Sequence, residues 1–206
     1  MSAIIFDFDG TIADSFDYVL EFLTVEAKLK PLVGTDRLAL RHLSMIAMAR
    51  KLGHPHWRLP LLFWKGKRVM TRAIETVEPF AGMEEVIRKL HAEGHELFIV
   101  SSNSLANVHA FLHRYELHEY FLEIYGSVGM FGKAPVLRKL LREHQLELND
   151  SMYIGDEIRD AEAAQSIKMR IIAVLWGFAR QDDLRALKPT ALATTPEDII
   201  RITEEL

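Results

Sequence analysis

Asp7 and Asp9 stand two residues apart at the end of an apolar run, Ala3-Ile4-Ile5-Phe6, and Gly10-Thr11 follows at once. In an extended chain, residues two apart point to the same side, so both carboxylates face one way while Phe6 and Phe8 face the other. A second pair, Asp156 and Asp160 in GDEIRD, follows another apolar run from Met152 to Ile154. If the two runs are neighbouring parallel strands, four carboxylates meet at one sheet edge. Two like charges ~4 Å apart repel by about 4 kcal/mol at an effective dielectric near 20, so such a cluster needs a proton or a cation. Hard oxygen ligands favour Mg²⁺, which takes a few carboxylates and completes its shell with water and substrate phosphate.

Complementary groups sit at the ends of two further apolar runs. Ser101-Ser102-Asn103 follows Leu97 to Val100 and precedes a helical pattern, offering hydroxyls and backbone N–H groups where anions bind readily. Lys133, in FGKAP, follows the run from Leu122 to Tyr125 and opens another helical pattern. Acids, hydroxyls, a lysine and acids at the carboxyl ends of four strands describe a site for phosphoryl transfer.

The elements that must position these residues are legible in the hydrophobic pattern. Strands are expected at Ala3 to Phe6, Leu97 to Ser101, Leu122 to Tyr125, Met152 to Ile154 and Arg170 to Val174. Between them lie helical patterns such as MEEVIRKLHAEG, stopped at Gly94, and LRKLLREH, with its leucines on one face. This alternation predicts an α/β chain with a Rossmann-like parallel sheet covered by helices. One stretch breaks the rhythm. Residues 14–78 hold no convincing strand but three helix-like blocks, punctuated at Pro31 to Gly34 and at Gly53-His54-Pro55-His56. We read 14–78 as an inserted all-α cap over the carboxyl edge of the sheet, where open α/β folds bind ligands, and 1–13 with 79–206 as the catalytic core.

The bulk properties narrow the partners. A net charge of -4 gives no electrostatic case for nucleic acid or an anionic membrane surface, and with no cysteine there is no thiol chemistry. Met1-Ser2 runs into the first strand without a basic leader, and the longest apolar stretch, Ile171 to Ala179, is far short of the ~18 residues of a membrane span. A cytoplasmic protein without membrane or nucleic-acid partners is expected; oligomeric state is not legible.

DFDGTIADS, the serine after the second strand, the lysine before a helix, and GDEIRD together resemble the haloacid-dehalogenase superfamily of phosphohydrolases. The insertion point of the helical block matches members with an α-helical cap, and AVLWGFARQDDLRALKPTALATTPEDI resembles the phosphoglycolate-phosphatase-like branch. The resemblance implies a Mg²⁺-dependent phosphatase, a phosphoric monoester hydrolase acting on a small phosphorylated metabolite such as phosphoglycolate. It implies Asp7 as nucleophile, forming an aspartyl-phosphate, and Asp9 as general acid and then base. Asp7, the backbone carbonyl of Asp9, and Asp156 would hold the metal, with Asp160 in support. Ser101, the N–H of Ser102 and Lys133 would hold phosphate oxygens, and Gly10 would let the chain turn beside them. In that branch proline usually follows the lysine directly; here Ala134 intervenes, and Lys139 is the neighbouring lysine.

A phosphomutase on a sugar phosphate would use the same core, and a non-catalytic phospho-accepting module would carry similar acids. Asp7 on the first strand and the long insertion count against the latter. His54 with His56, and His109 with His113, have spacings that could ligate zinc but no obvious third ligand, and are read as loop or surface histidines. Trp57, Phe63 and Trp64, near Lys65, Lys67 and Arg68, are read as part of a helical cap with snorkelling basic side chains rather than as a membrane or nucleic-acid contact, and Arg37, Arg41, Lys65, Lys67 and Arg68 as basic candidates for contact with an acidic substrate.

Overall fold

The computed structural model describes residues 2–30, 36, 40, 43, 45–129 and 132–206. Six strands form one parallel sheet: β1 (Ala3–Phe6), β2 (Glu96–Val100), β3 (Phe121–Tyr125), β4 (Ser151–Gly155), β5 (Arg170–Val174) and β6 (Ala191–Ala193), in the order β3-β2-β1-β4-β5-β6. The first five lie within a residue or so of their expected positions. The sixth is new, and its three residues are too few to show a pattern.

The strands are apolar on both sides because both faces are covered. Alternate residues divide between two cores. Ile4, Phe6, Leu97, Ile99, Met152, Ile154, Ile172 and Val174 face one side, with helices α4 (Met83–Ala92), α5 (Leu105–Arg114) and α9 (Pro196–Glu205). Ala3, Ile5, Phe98, Val100, Tyr153 and Ile171 face the other, with α6 (Lys133–Glu143) and α7 (Ile158–Ser166). A short helix, α8 (Gln181–Ala186), follows β5. As the sequence pattern required, α4 stops just before Gly94, whose φ is 85°, and the N–H groups of Gly94 and His95 return to the carbonyls of His91 and Leu90.

Among the described residues, three helices lie between β1 and α4: α1 (Phe16–Glu26), α2 (Met45–Lys51) and α3 (Leu59–Ala73). They share an apolar cluster of their own, with Phe16, Leu20, Leu23, Met48 and Leu62, which is closed by Phe178 from the loop after β5. His54 is buried here, its Nε2 2.9 Å from the Leu23 carbonyl oxygen. Lys65 pairs with Glu26 at 2.8 Å, whereas Trp57 and Trp64 are exposed. Arg37, Arg41, the turn at Pro31 to Gly34, and the side chains of Phe63, Lys67 and Arg68 fall outside the described residues. Among the described residues, no helix is long and apolar enough to cross a membrane.

Candidate active site

β1 is the central strand, and the strand order reverses between it and β4: later strands run outward to β3 on one side and to β6 on the other. A crevice opens at the carboxyl ends of strands at such a reversal. The register pairs Phe6 with both Ile99 and Ile154, so Asp7 emerges level with the ends of β2 and β4, its N–H bonded to the Ile154 carbonyl at 2.8 Å.

Carboxylate oxygens of Asp7, Asp156 and Asp160 lie within 4.8 Å of one another, all three side chains buried. Lys133, at the first position of α6 and only 3% exposed, reaches between two of them: its Nζ is 2.6 Å from Asp7 Oδ2 and 2.5 Å from Asp160 Oδ1. Lys139 instead pairs with Glu143 on the surface, so of the two lysines it is Lys133 that the fold brings to the acids, despite the intervening Ala134. The second oxygens are also engaged. Asp7 Oδ1 accepts the Phe8 N–H at 2.8 Å, and Asp160 Oδ2 accepts the Glu157 N–H at 3.0 Å as one arm of the capping box that starts α7.

Asp156 is held from three sides. Its Oδ1 accepts the Thr11 hydroxyl at 3.0 Å and its Oδ2 the Phe178 N–H at 2.7 Å. Gly10 and Gly177 close over it: a Cβ on either would come within 2.3 Å of Oδ2. Gly10 also has φ 79°, a conformation that L side chains rarely adopt, so glycine is required there twice over.

Asp9 stands outside this group of three. Its carboxylate accepts the Asn103 side-chain amide at 3.0 and 3.2 Å, and Asn103 Oδ1 in turn accepts the Ser104 N–H and the Asn107 amide at 2.8 and 2.9 Å. Ser101 is buried, and its hydroxyl oxygen accepts the Asn103 N–H at 2.9 Å, leaving its own proton to donate. Ser102 Oγ accepts from Arg159 at 3.3 Å.

Sequence patterns assign no role to Arg159, nor to Asn103 and Thr11, which stand beside Ser102 and Gly10. Arg159 is the most consequential, because it brings a second cation to the acids while pairing with Glu157 at 2.7 Å. The signal was present: it lies inside GDEIRD, one residue before Asp160.

Burial is the largest influence on each titrating group here. It pushes Asp7 up to about 7, with Lys133 pulling down and Asp160 adding to the rise. It pushes Asp156 well above the ordinary carboxylate range, with Glu157, Asp160 and Asp7 adding to the effect. It also raises Asp9, partly offset by neighbouring hydrogen-bond donors. For Asp160 the attraction of Lys133 and Arg159 overrides burial and holds the carboxyl below its usual range. Lys133 is held above the lysine range by Asp160 and Asp7 despite its burial. Lys133 and Arg159 are the cations that bear on Asp7 and Asp160, and the acids around them outnumber them. Ionised, these carboxylates carry a negative excess that a divalent cation with oxygen preference relieves.

Residues 4–174 match the model of a family described as haloacid dehalogenase-like hydrolase. The chain belongs to the haloacid dehalogenase-like hydrolases. A phosphoglycolate phosphatase of Synechococcus elongatus is 32% identical over 209 residues, covering 100% of this chain and 99% of that protein. A 5'-nucleotidase of Pseudomonas aeruginosa is 23% identical, covering 91% and 88%. Among solved structures, a predicted phosphatase from Clostridium acetobutylicum superposes with a TM-score of 0.82 over 100% of this chain and 99% of its own, at 18% identity, which bears on the fold. The enzyme class expected for this family member, a phosphoric monoester hydrolase, holds for the chain, and none of these relatives favours the mutase or the non-catalytic module.

Proposed function

We propose that the chain hydrolyses a small phosphomonoester, 2-phosphoglycolate first among candidates, through an aspartyl-phosphate on Asp7. The observation that carries this reading is Lys133 bridging Asp7 and Asp160 beside Asp156, at the strand-order reversal. The likeness to a phosphoglycolate phosphatase along its whole length supports the substrate class.

In this reading the Asp7 carboxylate attacks phosphorus and the bond from phosphorus to the ester oxygen breaks. Asp9, whose carboxyl burial shifts toward the protonated form, gives its proton to the leaving oxygen. It then takes a proton from water, which attacks the phosphorus of the acyl phosphate and releases inorganic phosphate and free Asp7. Asn103 holds Asp9 in line, Lys133 and the Ser101 hydroxyl meet phosphate oxygens, and Arg159 stabilises the same anion through its place beside Ser102. Mg²⁺ would be held by Asp7 and Asp156, with the Asp9 carbonyl, and would supply charge neutralisation at the transferring phosphoryl group. Asp160, with one oxygen on Lys133 and the other on the Glu157 N–H, acts as a positioning residue for the lysine. Residues 14–78 are the cap, closing over the crevice to exclude large esters and bulk water.

The test is phosphate release from 2-phosphoglycolate, nucleoside monophosphates and sugar phosphates, with Mg²⁺, with a chelator and with Asp7→Asn. We expect Mg²⁺-dependent release, falling by at least about 10³-fold in the variant. Release that persists in Asp7→Asn would remove the aspartyl-phosphate; release from nucleotides alone would move the substrate to that class.

A further inference from the structure

His109 and His113 are four residues apart on α5 and therefore share a face. The sequence offers no partner at a recognisable spacing. The fold does. After α5 the chain reverses at Glu116, whose φ is 54°, with the N–H groups of Glu116 and Leu117 returning to the carbonyls of His113 and Leu112. This turn brings His118, at the start of a single 3₁₀ turn, back over the last turn of the helix. His118 Nε2 lies 2.9 Å from His109 Nδ1, the His118 and His113 rings stack with centroids 4.3 Å apart, and one nitrogen from each histidine lies within 4.8 Å of the other two. His113 is exposed and the other two are half-buried, so the cluster is open to solvent.

We propose that His109, His113 and His118 form a three-imidazole site for a borderline divalent transition ion of the Zn²⁺ type, separate from the carboxylate site. Three neutral imidazoles with open remaining positions select such an ion over Mg²⁺, which requires oxygen. Nitrogens on a tetrahedral ion at about 2.0–2.1 Å stand roughly 3.3 Å apart, so the His109–His118 contact opens by a few tenths of an ångström, while the exposed His113 ring turns out of its near-parallel stack on His118 to aim its lone pair at the ion. The N–H of that contact moves to the other ring nitrogen of the same histidine, a tautomer change that frees the lone pair. His109 is held below the ordinary histidine range by burial and by the two neighbouring rings, which keeps its lone pair available at neutral pH. Bound there, the ion would tie the C-terminal turn of α5 to the turn that enters β3.

Zn²⁺ titration of the full, tag-free chain at saturating Mg²⁺ tests this, with the Asp7→Asn protein alongside to separate the carboxylate site. The expected result is one equivalent bound in both proteins, weakened by more than about 10-fold in His113→Gln and in His118→Gln. The same addition should raise the Tm of the parent and not that of His113→Gln. Because His113 is exposed, that variant should unfold like the parent without Zn²⁺, which checks its integrity. No bound equivalent in the parent, or parent-like affinity in either histidine variant, would overturn the site.

Discussion

At the residue scale, each acid of the site has a different set of partners, and its chemistry follows from them. Asp160 is the most tightly neutralised; Asp7 and Asp156 are left short of positive charge. This makes the metal-free protein sensitive to pH in an unusual direction. A carboxyl whose folded-state pKa lies near 7 binds its proton more tightly folded than unfolded, so between about pH 4 and 7 the native state carries more protons. Stability should therefore fall as pH rises through that window, and Mg²⁺ should restore it; urea unfolding at pH 5 and pH 8, with and without Mg²⁺, measures both effects. Asp9 accepts the Asn103 amide, whose own oxygen the fold fixes through Ser104 and Asn107. Asn103→Ala should lower kcat by roughly 10²-fold while leaving KM within a few-fold, since it loosens proton transfer rather than phosphate binding. A steady-state comparison decides it.

At the scale of elements, the strands carry the acids and helix starts supply their partners. Ser104 caps α5 directly after Asn103, Lys133 opens α6, and Asp160 caps α7. The same device serves structure alone at α9, where Asp198 accepts the Thr194 hydroxyl and the N–H groups of Thr194 and Thr195, contacts that hold its carboxyl down to about 2. Asp198→Asn should cost about 1 kcal/mol at pH 7. The stability lent by the ionised carboxyl is complete above about pH 4 and lost as pH falls toward 2, so the deficit should shrink over that range, with phosphate release unchanged at neutral pH. Denaturant midpoints across pH, beside the activity assay, read out both parts.

At the scale of the whole molecule, Phe178 joins the carboxyl edge of the sheet to the helices between β1 and α4. Its backbone N–H holds Asp156, and its ring lies in the apolar cluster of the inserted helices, 6.1 Å from that of Phe16. A hollow walled by Phe16, Phe80, Trp176 and Phe178 opens beside Gly10 and Gly177. Phe178→Ala keeps the backbone bond but removes the buried ring, so it should cost about 3 kcal/mol and raise KM more than it lowers kcat. Thermal unfolding and substrate titration of the variant provide the check; an unchanged KM would detach the helical segment from substrate binding.

Much of this was legible in the chain itself. Apolar runs ending in Asp7 and Asp156, and the helical break after β1, are local patterns, because strand burial and helix periodicity are written in neighbouring residues. The sequence favours Lys133 over Lys139 because Lys139 falls inside the helical pattern, and the structure brings Lys133 to Asp7 and Asp160 while Lys139 pairs with Glu143. Arg159, Asn103 and Thr11 act on residues 57, 94 and 145 positions away. Such contacts depend on strand order and register, which no local pattern encodes. The third histidine eluded the sequence for another reason: His118 is near in sequence, yet it joins His109 and His113 only because the chain reverses at Glu116.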